Sequence, residues 1–298
     1  MKIFDCFMFY DEEMLLDIRL NILNKYVDQF IIVESIFTHS GQKRNLVFDI
    51  QKYKKFKDKI KYYVVEKKPD SIETINSYDS DHIKGNKIIM NAVWFENSQR
   101  NAINNLLGSA DANDQIIISD VDEIPNLEKV NFKNIKKKLI LFKQKMFYYK
   151  FNLLLEKMIW CGSKSCKKID LISPQWLREV KDKKYPKWRL DTYFSKKKYN
   201  SIYFVDNGGW HFTNIKTPEE IDKKLRSYLH HPEYDQSNIG PKDIDKMIKE
   251  KKPVYDLMAN SSESKDRSHT KLKITNLNEL PNYIQLNKDK FNQWILKS

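Results

Sequence analysis

The chain has 298 residues, 41% of them hydrophobic and 13% aromatic, which excludes a disordered protein and allows one large α/β domain or two small ones. Its net charge of +13 comes mainly from scattered lysines, which favours a solvated surface that attracts anionic ligands over a dedicated nucleic-acid-binding surface. The three cysteines argue against a disulfide framework, and no apolar run of about 20 residues and no signal-peptide pattern is visible, so we expect a cytoplasmic protein without a transmembrane segment.

The first third of the chain alternates strand and helix patterns. Asp11 is a suitable N-cap, Glu12 follows in the first helical turn, and apolar residues then recur at helical spacing as far as Tyr26. An apolar run on each side of this helix predicts a right-handed parallel β-α-β unit. The elements predicted up to residue 107 are strands over 3–9, 30–33 and 60–65, helices over 11–26, 48–56 and 94–107, and a polar connection over 66–90.

The rest of the chain contains further strands and a helical end. Two adjacent glycines, Gly208 and Gly209, predict a tight turn after a strand, and a helix begins at Pro218 and runs to about His230. We predict one domain over residues 1–255 and a C-terminal extension over 256–298 that packs on it. The strands predicted in this part cover residues 116–118, 139–142, 145–152 and 202–205.

The end of the strand over residues 116–118 is the most informative feature. Asp120, Asp122 and Glu123 follow this β-branched apolar run, and Pro125 then prevents further pairing. Buried strands of open α/β sheets present functional groups at their carboxyl ends, where two such aspartates suit a divalent cation that holds a diphosphate. We therefore predict Asp120 and Asp122 as metal ligands, although the residue types alone are equally compatible with a polar turn.

The same D-x-D spacing occurs at two other places. Asp79 and Asp81 lie in a polar loop that no apolar strand precedes. Asp243 and Asp245 open a Lys-rich helical pattern, where acidic residues suit the helix N-terminus. The context, and not the spacing, selects the pair after the central strand.

A second polar strand end follows the second predicted strand and should lie at the same edge of the sheet. A carboxylate there would accept hydrogen bonds from a ribose or a nucleobase, a glycine would let the backbone approach a ligand, and a lysine would meet phosphate charge. A helix cap followed by a loop is the alternative interpretation. The candidate nucleotide-binding residues at this strand end are Glu34, Thr38, His39, Gly41 and Lys43.

Four further residues are candidates for binding and chemistry. Arg100, in the predicted helix before the central strand, would neutralise the carboxylates or reach the nucleotide. His211 follows the glycine pair, and a neutral imidazole is a suitable third ligand for manganese beside carboxylate oxygens. Asp206 and Glu156 are candidates for the base that takes a proton from an acceptor hydroxyl.

Four motifs occur in a specific order, over residues 27–41, 99–101, 118–125 and 208–212. Together they resemble glycosyltransferase family 17, over roughly residues 1–255. The resemblance implies a GT-A (Rossmann-like) fold with a mixed, mostly parallel sheet flanked by helices. It also implies inverting transfer of a sugar from a UDP-sugar, UDP-GlcNAc in the typical enzyme, to a glycan or glycoconjugate acceptor, with Mn²⁺ or Mg²⁺ as cofactor.

The resemblance also implies roles for individual residues. Asp120 and Asp122 would bind the metal and the diphosphate, and His211 would be the C-terminal ligand of the metal or diphosphate. Glu34 and residues 38–41 would lie at the nucleotide, with Arg100 near the carboxylates.

Two functions of other classes remain open at this stage. A metal-dependent nucleotidyltransferase or phosphohydrolase would also use the Asp120 and Asp122 cluster. A nucleic-acid-binding module would explain the charge of +13 but would leave the acidic cluster without a role.

Overall fold

The structure, a computed structural model, describes residues 1–186, 188–227, 234–235, 237, 239–254 and 271–297. The strands are β1 (Ile3–Met8), β2 (Gln29–Ser35), β3 (Ile60–Val65), β4 (Gln115–Asp120), β5 (Glu123–Pro125), β6 (Leu139–Tyr148), β7 (Leu153–Trp160), β8 (Lys164–Lys167), β9 (Ile202–Thr213) and β10 (Lys273–Ile274). The α-helices are α1 (Glu13–Leu23), α2 (Asp81–Asn101), α3 (Pro174–Glu179), α4 (Asp191–Phe194), α5 (Pro218–Ser227), α6 (Pro241–Glu250) and α7 (Asn282–Leu286). The longest 3-10 segments are Ile50–Lys59 and Ala102–Ser109.

These strands form one mixed sheet of ten strands within the described residues. The strand order is β10-β7-β6-β8-β4-β1-β2-β3, and β9 pairs with β6 and with the short β5. Strands β3, β2, β1 and β4 are parallel neighbours, whereas β8 runs antiparallel to both β4 and β6. The predicted α/β class, the mixed sheet and the parallel pairing of the first two strands are confirmed.

Successive residues of the central strand pack into two cores, one on each face of the sheet. Ile117 belongs to the core that contains α1. Ile116 and Ile118 belong to the other core, together with Ile103 of the 3-10 segment and Leu177 of α3. Because both faces are covered, the strand needs apolar residues at every position, which explains its run of isoleucines.

Several elements predicted in the first half of the chain differ from the structure, and the helix predicted over residues 48–56 is the 3-10 segment Ile50–Lys59. The predicted polar connection contains the first half of α2, whose N-cap Ser80 accepts a hydrogen bond from the amide of Ile83. The two strands predicted over residues 139–152 are the single strand β6 followed by a turn. The helix predicted from Pro218 is observed up to Ser227, and its predicted end at His230 lies outside the described residues.

The predicted turn at Gly208 and Gly209 is wrong, because both glycines lie inside the continuous strand β9. Asn207 and Gly209 have φ angles of 50° and 136°, and the register between β9 and β6 shifts at this place. The local irregularity of a β-bulge therefore explains the glycine pair.

Residues 271–297 pack on the body of the chain. Strand β10 pairs with β7, and Leu280, Ile284 and Phe291 are buried in the same core as α1. In the part of the chain that the structure describes, none of the helices has both the length and the apolar character of a membrane span.

Candidate active site

A buried arginine holds the loop that joins β4 to β5. Arg19 of α1 is fully buried and contacts both carboxylate oxygens of Asp5, at 2.6 and 2.8 Å. Its Nη1 donates to the backbone carbonyls of Asp120 at 3.0 Å and Glu123 at 2.7 Å. Because a guanidinium is rigid and always charged, these contacts fix the backbone of the acidic loop.

A cavity of about 410 Å³ opens at the carboxyl ends of β1 and β4. Strand β9 brings His211 to this cavity, because His211 pairs with Glu123 in the antiparallel β5–β9 ladder. The structure therefore brings together four residues that were predicted from separate motifs: Asp120, Asp122, Arg100 and His211. The charged residues that line the cavity are Glu12, Glu96, Arg100, Asp120, Asp122, Glu123, Arg178 and Lys224.

Two arginines hold the carboxylate of Asp120. Arg100 Nη2 donates to Oδ1 at 3.0 Å, and Arg178 Nη2 donates to Oδ2 at 2.8 Å. Arg100 is 1% exposed and also pairs with Glu96. Burial alone would raise the pKa of Asp120, but the charges of Arg178 and Arg100 outweigh burial and hold the pKa well below its ordinary value. The cavity thus contains an ionised carboxylate flanked by two fixed guanidinium groups.

Asp122 lies between an imidazole and an ammonium group. Its Oδ2 is 3.7 Å from His211 Nε2 and 3.7 Å from Lys224 Nζ. Burial would raise the pKa of Asp122, but His211 and Lys224 lower it below its ordinary value. Both distances are longer than a direct hydrogen bond, so Asp122 faces His211 and Lys224 without a direct hydrogen bond to either.

Glu123 and Trp160 form one wall of the cavity. The Glu123 carboxylate is buried and accepts hydrogen bonds from the amide of Asp120 and from Arg178, both at 2.8 Å. It also accepts the indole N–H of Trp160, whose ring lies 5.4 Å from the ring of His211 between centroids. Glu123 therefore links the acidic loop to an aromatic wall beside the histidine.

The groups around Asp122 fit a divalent cation as an open site. Asp122 and His211 offer a carboxylate oxygen and an imidazole nitrogen, and the other nitrogen of His211, Nδ1, is buried without a hydrogen-bond partner in the described structure. Each oxygen of Asp120, in contrast, is already bound by an arginine. No three acidic, histidine or cysteine side chains form a closed metal site among the described residues. Mg²⁺ is commonly held by one or two carboxylates together with the phosphates of a substrate. Asp122 would supply one such carboxylate.

Glu34, which was predicted to lie at the nucleotide, contributes to the fold and is not among the residues that line the cavity. Its carboxylate is fully buried and accepts hydrogen bonds from the amides of Val47 and Phe48 and from the hydroxyl of Tyr62. Arg44 pairs with the same carboxylate at 3.0 Å. Because these groups already satisfy both oxygens, a ribose would have to displace them.

The other residues predicted in this loop lie at different places. His39 lines the cavity, with Nε2 3.2 Å from Gln99 Oε1. Thr38 and Lys43 line a neighbouring cavity of about 690 Å³. Gly41 has a φ of 83°, and a Cβ there would lie 3.0 Å from the ring of Phe95, so the backbone conformation and this packing require the glycine.

Asp206 and Glu156, the two predicted base candidates, do not reach the cavity. The side chain of Asp206 is 78% exposed and pairs with Lys143 at 2.7 Å. The side chain of Glu156 is 59% exposed and pairs with Lys273 at 2.9 Å. Both carboxylates lie on outward-facing positions of their strands, where solvent and a lysine surround them.

Four charged residues that line the cavity were missed as site residues: Glu12, Glu96, Arg178 and Lys224. Arg178 and Lys224 are single cations in Lys-rich stretches, so no pattern distinguished them from surface charges. Glu12 was interpreted only as a residue of the first helical turn. The role of Arg19 in holding the acidic loop could have been predicted from the sequence. Arg19 lies among the apolar residues of α1, and a charged side chain is rarely buried there unless it has a partner.

Two comparisons with known proteins bear on this cavity. The profile described as Glycosyltransferase family 17 matches residues 1–297. A comparison with curated proteins gave no match. The motifs alone indicated a resemblance over roughly residues 1–255, and the profile extends this match to residue 297.

Proposed function

Because the chain belongs to glycosyltransferase family 17, it is a glycosyltransferase with a sugar donor and a glycan acceptor, and we propose that the donor is a UDP-sugar, most simply UDP-GlcNAc. We further propose that the donor diphosphate lies in the cavity at the end of β4 and that transfer inverts the anomeric carbon. The observation that carries this proposal is the meeting of Arg100, Arg178 and Lys224 with Asp120 and Asp122 in one cavity.

The fixed cations explain how the cavity would promote departure of UDP. Negative charge grows on the diphosphate as the bond to the sugar breaks, and preorganised charges stabilise it without rearrangement. Arg100 and Arg178 are held by Asp120, Glu96 and Glu123, so their positions do not depend on the donor.

We propose that Asp122 and His211 hold a Mn²⁺ or Mg²⁺ ion together with the donor. When bound, such an ion would act as a Lewis acid on the departing diphosphate. Asp120 would contribute through the two arginines that it orients, which differs from the direct metal contact predicted from the D-x-D spacing.

We propose Glu12 as the base that takes the proton of the acceptor hydroxyl. A general base has to be ionised and free to accept a proton. Arginines hold the cavity carboxylates Glu96, Asp120 and Glu123. Glu12 Oε2 accepts only two long hydrogen bonds of 3.2 Å, from the amides of Tyr10 and Asp11, and within the described residues no cation forms an ion pair with Glu12.

The proposal is tested by screening UDP-sugars with Mn²⁺ for donor cleavage and for transfer to glycan acceptors. We expect Asp122→Asn to lower turnover by about 100-fold or more with the fold retained, because the substitution removes a charge from the reacting centre. Removal of the metal with a chelator should stop transfer, and added Mn²⁺ should restore it.

Asp206→Asn is the matched control, because it makes the same chemical change on a carboxylate outside the cavity. Its turnover should equal that of the unchanged protein. Full turnover by Asp122→Asn would contradict the assignment of the site. Metal-dependent hydrolysis of nucleotides without transfer to any acceptor would favour the phosphohydrolase alternative instead.

A further inference from the structure

The segment between α3 and β9 is one of the positively charged stretches of the chain. Residues 181–200 contain eight lysines and arginines and only two aspartates, a net charge of +6 against +13 for all 298 residues. Within the described residues no carboxylate pairs with Lys181, Lys183 or Lys196, whereas Lys197 and Lys198 pair with Glu179 and Asp191. Residues 131–150 carry a similar net charge of +7, so the charge alone does not distinguish the segment.

The same segment exposes large apolar side chains. The exposed fractions of Trp188, Leu190, Tyr193 and Phe194 are 80%, 73%, 68% and 88%. Single exposed apolar residues are common on proteins, but four within seven residues are a feature of surfaces that contact a partner or a membrane.

The base of the segment is fixed to the body of the chain. The amide of Lys181 donates to the carbonyl of Lys197 at 2.7 Å, which joins the two ends of the segment. Trp176 Nε1 of α3 donates to the carbonyl of Lys196, also at 2.7 Å. Helix α3 carries Arg178 of the cavity, so the base of the segment is joined to a helix that contributes to the candidate active site.

We propose that residues 181–200 bind the surface of membranes that contain anionic lipids. Tryptophan and tyrosine are favoured at the boundary between headgroups and acyl chains, where apolar side chains enter the boundary and lysines remain at the anionic headgroups. A nucleic acid would match the charge but would leave Leu190 and Phe194 exposed. A second copy of the chain would bring two segments of the same charge together.

The proposal does not depend on the reaction, since membrane binding is measured without donor or acceptor. One consequence does rest on the proposed function: binding through this segment would bring the cavity close to an acceptor carried by the membrane. The two proposals can therefore fail separately.

The test is co-sedimentation of the full chain with vesicles of phosphatidylcholine alone and of phosphatidylcholine mixed equally with phosphatidylglycerol. We expect binding to the mixed vesicles that weakens as salt is added, and little binding to phosphatidylcholine alone. Trp188→Ser combined with Phe194→Ser should weaken binding at least tenfold. Lys183→Gln and Lys196→Gln should each weaken it by about fivefold.

Tyr78→Ser combined with Leu286→Ser is the matched control, because these side chains are 84% and 85% exposed and lie outside the segment. This pair should leave vesicle binding unchanged, and thermal unfolding should show that both double variants fold. Equal binding to the two kinds of vesicle, or full binding by the Trp188 and Phe194 variant, would overturn the proposal. Concentration-dependent self-association or RNA binding that the same variant abolishes, without vesicle binding, would assign the segment to that partner instead.

Discussion

Asp120 shows how one carboxylate determines the position of two cations. Its oxygens are divided between Arg100 and Arg178, and Arg178 extends the contact to Glu123. Lone cations in this cavity would carry a large cost of desolvation, which the carboxylates offset. Asp120 therefore has a structural role, which is to position Arg100 and Arg178, and this role does not require a ligand.

Removing Arg178 tests this arrangement. Arg178→Ala should lower the free energy of unfolding by about 3–5 kcal/mol, because the buried carboxylate of Glu123 would lose its ion-pair partner and Asp120 would keep Arg100 alone. Arg178→Lys keeps the charge but loses the planar group whose Nη2 contacts both carboxylates while Nη1 donates to the carbonyl of Gly162, so it should recover part of the stability and little of the turnover. Urea unfolding and steady-state kinetics measure the two effects, and Arg178→Ala with unchanged stability would contradict the proposed network.

Glu12→Gln tests the proposed base. Glutamine keeps an oxygen that accepts the hydrogen bonds from Tyr10 and Asp11, so the fold should be retained. It does not take up a proton, and we expect kcat to fall by about 100-fold or more with a smaller change in KM. An unchanged kcat would exclude Glu12 as the base.

At the scale of the element, the central strand and its ends were the predictable part of the site. The isoleucine run specified a buried strand, and the parallel order of β1, β2 and β4 follows from the β-α-β pattern. That order places the ends of β1 and β4 at one edge, so the position of Asp120 and Asp122 could be derived. Glu34 also lies at the end of a parallel strand, but its side chain binds the backbone of the loop at Val47 and Phe48. The position of a residue at the edge of the sheet therefore does not predict the direction of its side chain.

The elements that complete the cavity were less predictable. Arg178 reaches the carboxylates because β8 pairs antiparallel with β4 and is followed by α3. The paired residues of β4 and β8 are about 50 positions apart, so no local sequence pattern predicts this pairing. The prediction ended the strand β9 at residue 205 because it interpreted the adjacent glycines as a tight turn, whereas the strand continues to Thr213. The bulge explains why this strand tolerates them.

Gly209→Ala tests the bulge. A Cβ at Gly209 would lie 2.1 Å from the carbonyl oxygen of Ile124, and the φ of 136° is strained for any side chain. We expect a loss of about 2–4 kcal/mol in the free energy of unfolding, with weaker donor binding because His211 moves with the β5–β9 pairing. Gly85→Ala is the control: nothing lies near its Cβ in α2, so stability should rise by up to about 1 kcal/mol. Equal effects of the two substitutions would contradict this account.

At the scale of the molecule, the paired carboxylates predict how stability depends on pH. The folded-state pKa values of Asp120 and Asp122 lie below their ordinary values, despite burial, because of Arg178 and Arg100 for the first and His211 and Lys224 for the second. A depressed pKa stabilises the fold above the unfolded-state value of about 3.9, and this stabilisation is lost as the pH falls through the folded-state pKa.

We therefore expect the free energy of unfolding to fall from about pH 5 towards pH 3, and to fall less steeply in Asp120→Asn. Denaturant titrations at several pH values measure both slopes. The comparison uses the slopes because Asp120→Asn should also be less stable at neutral pH, where Arg100 and Arg178 lose their partner. Identical slopes would show that the ionisation of Asp120 does not contribute to stability.

The contact between the two ends of the chain has a consequence for biosynthesis. Asp17 of α1 accepts hydrogen bonds from Tyr283 at 3.2 Å and from Lys290 at 2.7 Å, residues that lie more than 260 positions later. A ribosome adds about 5–20 residues per second, so the surface of α1 is made many seconds before the segment that covers it. Until that segment is made, the nascent chain exposes the apolar side chains against which Leu280, Ile284 and Phe291 pack, and chaperones that bind such surfaces should associate with it during this interval.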